Sequence, residues 1–223
     1  VGGSSVKSAE ASTQSGWERR QKRTRADVLV AAGEIIAAEG LEGLTMRKLA
    51  ARAGVAVATL YNQFGDRGGV LVAFVSNGLD QLEVDFDDKP ARRPIETTRA
   101  LFQALDDTVG TAIDVWRPIF ASLQSGPGVH GMGSVGERVV QIIEHDLAHA
   151  AAEAMFIGEC DIERLARHIF TARMNRLEKW ATGVIDWNWY RESSEMGLEL
   201  ALAAVIASPD ARVNALRLSG IVF

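Results

Sequence analysis

The stretch from Thr45 to Phe64 constrains this 223-residue chain more than any other. It reads Thr-Met-Arg-Lys-Leu-Ala-Ala-Arg-Ala-Gly-Val-Ala-Val-Ala-Thr-Leu-Tyr-Asn-Gln-Phe. Thr45 is a good N-cap for a helix through Ala53, with Leu49, Ala50 and Ala53 inward. Gly54 breaks that helix and supplies the positive φ of a tight turn. A short helix follows from Val57 to Gln63. Two short helices about such a turn have the spacing of a DNA-binding helix-turn-helix. Small Ala50 permits a close crossing, and Val55 and Leu60 plug the joint. The alternative is an ordinary helical hairpin.

The outward face of the second of these helices carries Val57, Ala58, Thr59, Tyr61, Asn62 and Gln63, with no acid. Small apolar groups suit thymine methyls and amides suit adenine in the major groove. Thr59 and Tyr61 can donate to phosphate oxygens, which fixes register rather than reading sequence. Arg47 and Lys48 add positive charge at the flank. Upstream, Arg19, Arg20, Lys22, Arg23 and Arg25 place five positive charges within seven residues. That arm either reaches backbone or minor groove, or remains a solvated tail.

The rest of the chain is read as helices. Val28, Leu29, Ala32, Ile35 and Ile36 recur at spacings of three and four, and Gly40 ends the run. Asp66 caps a long fourth helix with Val70, Phe74, Leu82 and Phe86 on one stripe. Asp85 to Pro94 reads as a charged loop. A fifth helix runs from Pro94 to about Val115, and Pro118 opens a short sixth. Gly126 to Gly136 reads as a flexible glycine-rich loop. Later helices cover about Val135–Phe156, Asp161–Thr182 and Ser193–Ala207, the last stopped by Pro209. No alternating strand pattern occurs, so the predicted fold class is all-α. Residues 1–18 read as a disordered tail.

Composition excludes several classes. A single cysteine, Cys160, rules out an internal disulfide framework and a cysteine zinc cluster. No apolar run approaches the ~18 residues that span a bilayer. The first residues lack the apolar stretch of a secretory signal, so a reducing cytoplasm is the expected compartment. The net charge of −5 argues against a general polyanion binder. It is uneven, however. Residues 1–70 carry 10 basic and 7 acidic side chains, and residues 71–223 carry 14 and 22. A basic front and an acidic rear suggest two tasks.

The stretch Arg25 to Leu71 resembles the N-terminal DNA-binding domain of the tetracycline-repressor (TetR) family. The likeness lies in Ala31-Ala32, Gly40, Thr45, Leu49-Ala50, Ala53-Gly54-Val55, Thr59-Leu60-Tyr61, Phe64 and Leu71. The resemblance implies a helix-turn-helix domain over 19–68, a larger helical ligand-binding and dimerisation domain over 69–210, and a tail over 211–223. It implies a cytoplasmic homodimeric repressor, paired through helices eight and nine, that binds a near-palindromic double-stranded operator and is released by a small molecule. Carried over by position, Arg47 contacts a base or phosphate, Val57, Ala58 and Gln63 face bases, and Thr45, Thr59 and Tyr61 meet phosphates. Arg67 stands where the family usually has Lys, and Gly68 where it usually has a charged residue. Gly68-Gly69 is a poor helix start.

The effector pocket implied by the resemblance lies among helices four to eight. Phe86, Phe102, Trp116, Phe120, Met155, Phe170 and Met174 are its candidate lining, suited to a flat or greasy ligand. Each ring has core packing as its alternative. His145 and His149 share a helix face, but no third ligand is evident and neither metal nor cofactor is expected. Two Gly-x-Gly-x-x-Gly strings within 126–136 follow no strand and fail the dinucleotide context. Leu198, Leu202, Val205 and Ile206 form an apolar stripe that serves either a dimer or the monomer core. An activator or a ligand-independent regulator of the same fold is the first rival. An all-α enzyme with a vestigial DNA head ranks below it, since no nucleophile–base pair is evident.

Overall fold

A computed structural model describes residues 4–87, 95–125, 129–206 and 213, with side chains over 21–82, 95–123, 133–206 and at 213. Among the described residues the structure is helical, apart from one isolated bridge between Phe156 and Ile206. The all-α fold class expected from the sequence is what is seen. The chain divides into two compact units, residues 1–73 and 74–223.

The N-terminal unit, or head, holds α1 (Ser4–Gly43), α2 (Met46–Ala53), α3 (Val57–Phe64) and the start of α4 (Arg67–Asp87). Helix α1 buries Val28, Leu29, Ala32, Ile35 and Ile36, the stripe expected from their spacing. Its axis breaks at Gly40, whose φ of 72° is left-handed. Its start differs from expectation. Residues 4–18, read as part of a disordered tail, continue the helix backwards. No proline interrupts them, and their Ala, Glu, Gln and Lys favour helix. Thr45 caps α2, its Oγ1 accepting from the Lys48 N–H at 3.2 Å. Asp66 caps α4, its Oδ1 accepting from the Gly69 N–H at 2.8 Å. Val70, Leu71 and Ala73 are buried, and the first turns of α4 belong to the head. The two compact units thus divide at 73/74.

Gly68-Gly69 opens α4 despite its poor propensity. An added Cβ on Gly69 would lie 1.8 Å from the Phe64 carbonyl oxygen, so the end of α3 leaves no room for a side chain there.

The C-terminal unit, or body, holds the remainder of α4, α5 (Glu96–Thr111), α6 (Ile113–Ser125), α7 (Val129–Ala152), α8 (Ile162–Ala181) and α9 (Trp187–Ala203). Helix α8 packs against α6, α7 and α9. A buried Asp146 on α7 starts α5. Its Oδ1 accepts from the Ile95 N–H at 3.1 Å, and its Oδ2 from the Thr98 N–H and hydroxyl at 2.8 and 2.7 Å.

Four expected boundaries in the body are corrected. Pro118 lies inside α6 rather than opening it, because the helix starts five residues earlier at Ile113. Helix α7 starts at Val129, so part of the expected glycine loop is helical; residues 126–128 lie outside the described residues. The Gly136 position is packed, with Phe170 ring carbon 2.9 Å from where a Cβ would stand. Helix α9 starts at Trp187, not Ser193, because the Asp186 Oδ1 caps it by accepting from the Trp189 N–H at 2.8 Å. The stripe Leu198, Leu202 and Ile206 is buried within the chain, with Val205 half-buried, and so is not a free dimer surface. The expected loop over 85–94 starts later, since α4 runs through Asp87, and 88–94 lie outside the described residues. The tail 211–223, Val213 apart, lies outside them as well.

Candidate DNA-binding face and effector chamber

The turn between α2 and α3 is built by Gly54, at φ 66° and ψ 30°. Its N–H donates to the Ala50 carbonyl, and the Val55 N–H donates to the same carbonyl at 3.0 Å. Leu49, Ala50, Leu60 and Phe64 are buried beneath it, which fixes the face of α3 that turns outward. Val57, Ala58, Tyr61 and Asn62 are exposed there, and Thr59 and Gln63 are half-buried. The Gln63 Oε1 is buried with no hydrogen-bond partner among the described residues. The Arg25 guanidinium sits 5.0 Å from the centre of the Phe64 ring, at the end of α3.

The basic side chains are not equivalent. Lys48 pairs with Glu39. Arg52 pairs with Glu34 at 2.8 Å, and Arg67 with Glu42 at 3.5 Å. Arg47 is exposed, with no ion pair among the described residues. Its charge is therefore available to an outside anion, whereas Lys48 and Arg67 must exchange partners. The Thr45 hydroxyl accepts a bond as a cap but still has its proton to donate.

In the body, a ladder of rings runs from Phe74 through Trp116 and Phe120 to Trp180, with centroid separations of 5.0, 5.8 and 6.5 Å. Trp187 and Tyr190 extend it. Beside the ladder lies an apolar chamber of about 90 Å³. Phe102, Phe120, Phe170 and Met174 line it, as do Val75, Leu79, Val139 and Leu177. A neighbouring hollow of about 340 Å³ shares Phe120, Gly136, Phe170 and Met174 with the chamber.

Three candidates lie elsewhere. Trp116 packs in the ring cluster beside Phe120, over Gly78 of α4, and not on the chamber wall. Met155 is in the turn after α7, its N–H donating to the Ala150 carbonyl, because α7 ends before it. The Phe86 side chain lies outside the described residues. His149 lies 3.4 Å from Glu153, His145 is exposed, and no group of three metal-ligating side chains occurs among the described residues. Cys160 is half-buried, and burial, then the Asp161 carboxylate, raises its thiol pKa.

The chamber also has a polar wall that sequence reading missed: Asp106, Arg173 and Tyr190. Arg173 is 7 % exposed, and its Nη2 donates to the Asp106 Oδ1 at 2.5 Å and to the Phe102 carbonyl at 3.4 Å. Burial holds the Asp106 carboxyl above the usual carboxylate range, against the pull of Arg173. Burial likewise raises the Tyr190 hydroxyl. One signal was in the sequence. Arg173 falls four residues from both Ile169 and Leu177, on the apolar stripe of α8.

The family model for bacterial regulatory proteins of the tetR family matches residues 28–74. No curated protein sequence matches the chain. Among solved structures, SmeT, the repressor of the Stenotrophomonas maltophilia multidrug efflux pump SmeDEF, is similar at 17 % identity. That match covers 83 % of this chain and 91 % of SmeT, with a TM-score of 0.60. Thermus thermophilus FadR, a TetR-family repressor solved with lauroyl-CoA, is 22 % identical over 83 % of this chain and 97 % of its own, at a TM-score of 0.62. A TetR transcription regulator from Haloarcula marismortui is 16 % identical over 83 % of this chain and 99 % of its own, at 0.66. Proteins of this family are DNA-binding regulators rather than enzymes. Residues 28–74 are thus similar to the tetR family of bacterial regulatory proteins, and the chain has the fold of these solved regulators.

Proposed function

We propose that the protein is a ligand-responsive repressor that binds a near-palindromic operator as a homodimer and leaves it when a small molecule occupies the chamber. The observation that carries this is the acid-free outer face of α3 beside an unpaired Arg47. In this reading Arg47, Val57, Ala58, Asn62 and Gln63 address base edges. Thr45, Lys48, Thr59, Tyr61 and Arg67 address phosphates. One head makes too small an interface for specific binding, so two act together, about 34–36 Å apart along the duplex. Two proteins of this fold hold small molecules, triclosan on SmeT and lauroyl-CoA on FadR, which supports a ligand for this chain. A ligand releases DNA only by binding the released state more tightly. Helix α4 begins in the head and continues in the body, so a ligand-driven shift of α4 has a covalent route to the DNA-binding helices.

Pairing through α8 and α9 uses their outer faces in this reading, where Trp189 is 51 % exposed and Leu200 46 %. Among the described residues no helix is long and apolar enough to cross a membrane. The test is selection of duplexes from a random pool by the full chain, followed by gel-shift titration. The reading expects enriched sites with two-fold symmetry and half-sites one turn apart. Enrichment of single half-sites, or of no sequence at all, overturns it. Transcription from the selected site, with and without the protein, separates repression from activation.

A further inference from the structure

We infer that the effector is an amphipathic molecule whose apolar body fills the chamber and whose single anionic oxygen group is held by Arg173. The inference rests on the chamber being the effector site. Its starting point is an imbalance at the chamber wall. A guanidinium has five N–H donors. In Arg173 only Nη2 finds acceptors, on Asp106 and the Phe102 carbonyl. Nε and Nη1 have no acceptor among the described residues and are not among the buried unpartnered atoms, so they stay accessible beside the polar hollow that Arg173 helps line. Guanidinium donors left open at a hollow can each donate a charge-assisted bond to an incoming oxyanion.

The side chain is also held in place. Its guanidinium carbon lies 4.3 Å from the centre of the Phe102 ring and 5.5 Å from that of Tyr190. A fixed planar fork of donors suits a carboxylate or a comparable oxyanion better than a point cation would. Arg173, Asp106 and Phe102 line both the apolar chamber and a polar hollow of about 270 Å³ next to it. A molecule with one polar end can thus place that end at Arg173 and its body in the chamber.

Net charge does not supply the preference. The polar hollow balances Arg99, Arg173 and Arg191 against Asp106, Glu195 and Glu199, and Arg99 is already held by both oxygens of Glu199, at 2.5 and 2.9 Å. The preference comes from the unmet donors of Arg173. Size limits the body. A chamber of about 90 Å³ is smaller than the ~150 Å³ cavity that takes up benzene. A longer body has to displace Phe170 and Met174, which stand between the chamber and the 340 Å³ hollow.

The experiment uses the full chain and three probes with one body and different heads: octanoate, 1-octanol and octylamine. Binding is read by quenching of tryptophan fluorescence. Octanoate is expected to bind about tenfold more tightly than octanol, the scale of one charge-assisted hydrogen bond, with octylamine weakest. Arg173→Lys keeps the charge but loses the fork, and should bring octanoate and octanol to within about threefold. Asp106→Asn removes the competing carboxylate and should widen the ratio; it serves also if Arg173→Lys does not fold, which a thermal melt shows. Equal binding of octanoate and octanol, or an unchanged ratio in Asp106→Asn, overturns the anionic head while leaving the chamber as a ligand site. Failure of all three probes to bind overturns both readings.

Discussion

The head and the body are both helical, yet they are specified in different ways. In the head, each signal acts over a few residues. Thr45 caps α2 through Lys48, Asp66 caps α4 through Gly69, and Gly54 makes the turn between α2 and α3. In the body, the defining contacts join residues far apart in the chain. Asp146 reaches Thr98 across 48 positions, Arg173 reaches Asp106 across 67, and Arg99 reaches Glu199 across 100. The difference teaches that a helix-turn-helix can be carried by a short sequence string, whereas an internal chamber is a product of assembled packing.

Five changes test that contrast, the largest effect first. Asp146→Ala strands the buried N–H groups of Ile95 and Thr98, each worth about 1–3 kcal/mol, so the body should lose roughly 3 kcal/mol or more. Four of the five tryptophans, at 116, 180, 187 and 189, report on the body, and their thermal transition should fall. An unchanged transition would show that the body does not depend on this long-range contact.

Arg47→Ala should weaken binding to the selected duplex by about 1–3 kcal/mol without altering the melt, since the side chain is exposed. Unchanged affinity in a gel-shift titration removes Arg47 from the interface. Gly54→Ala forces a Cβ into left-handed backbone at φ 66°, at a cost of roughly 1–2 kcal/mol. No atom crowds the position, so the loss measures conformation alone. Thr45→Ala removes one cap and should cost about 1 kcal/mol of head stability, read by hydrogen exchange of the α2 amides.

The smallest effect is one of pH. Burial raises the Asp106 carboxyl in the folded protein above its unfolded value. Between those two values folding takes up a proton. Stability from this group is therefore present below the ordinary carboxylate range and declines as pH rises through the raised value. Asp106→Asn should flatten that part of a melt-against-pH curve, and a slope identical to wild type would show that Asp106 does not titrate there.

The contrast also explains what was legible in the sequence. Caps and the glycine turn are local chemistry, so the bounds of α2 and α3 follow from Thr45, Gly54 and Val57. Asp161 gave the start of α8 in the same way, its Oδ1 accepting from the Arg164 N–H at 3.0 Å. Asp186 offered an equal signal for α9, but the following Trp-Asn-Trp-Tyr run lacks a polar–apolar rhythm and hid it. Pro118 misled because proline favours a helix start, while α6 had already begun at Ile113. The glycines before Val135 suggested a loop, yet Gly136 is a packing choice made for the Phe170 ring. Of the candidate effector residues, Phe102, Phe120, Phe170 and Met174 line the chamber, whereas Met155 falls in the turn after α7. The polar wall of the chamber was least legible. Arg173 and Asp106 meet only after α5 and α8 have assembled.

The cap that Asp146 provides also sets an order of events. Helix α5 has no side-chain cap of its own, since Ile95 occupies that position. Its first turn is completed by a carboxylate 51 positions downstream of Ile95. A nascent chain that has not yet exposed α7 therefore lacks the group that starts α5, whereas α2 and α4 have their caps as soon as they emerge. Closing so long a loop carries an entropic cost that non-local contacts must offset before they stabilise anything. The head can accordingly take shape on the ribosome while the body is still waiting for its own later half.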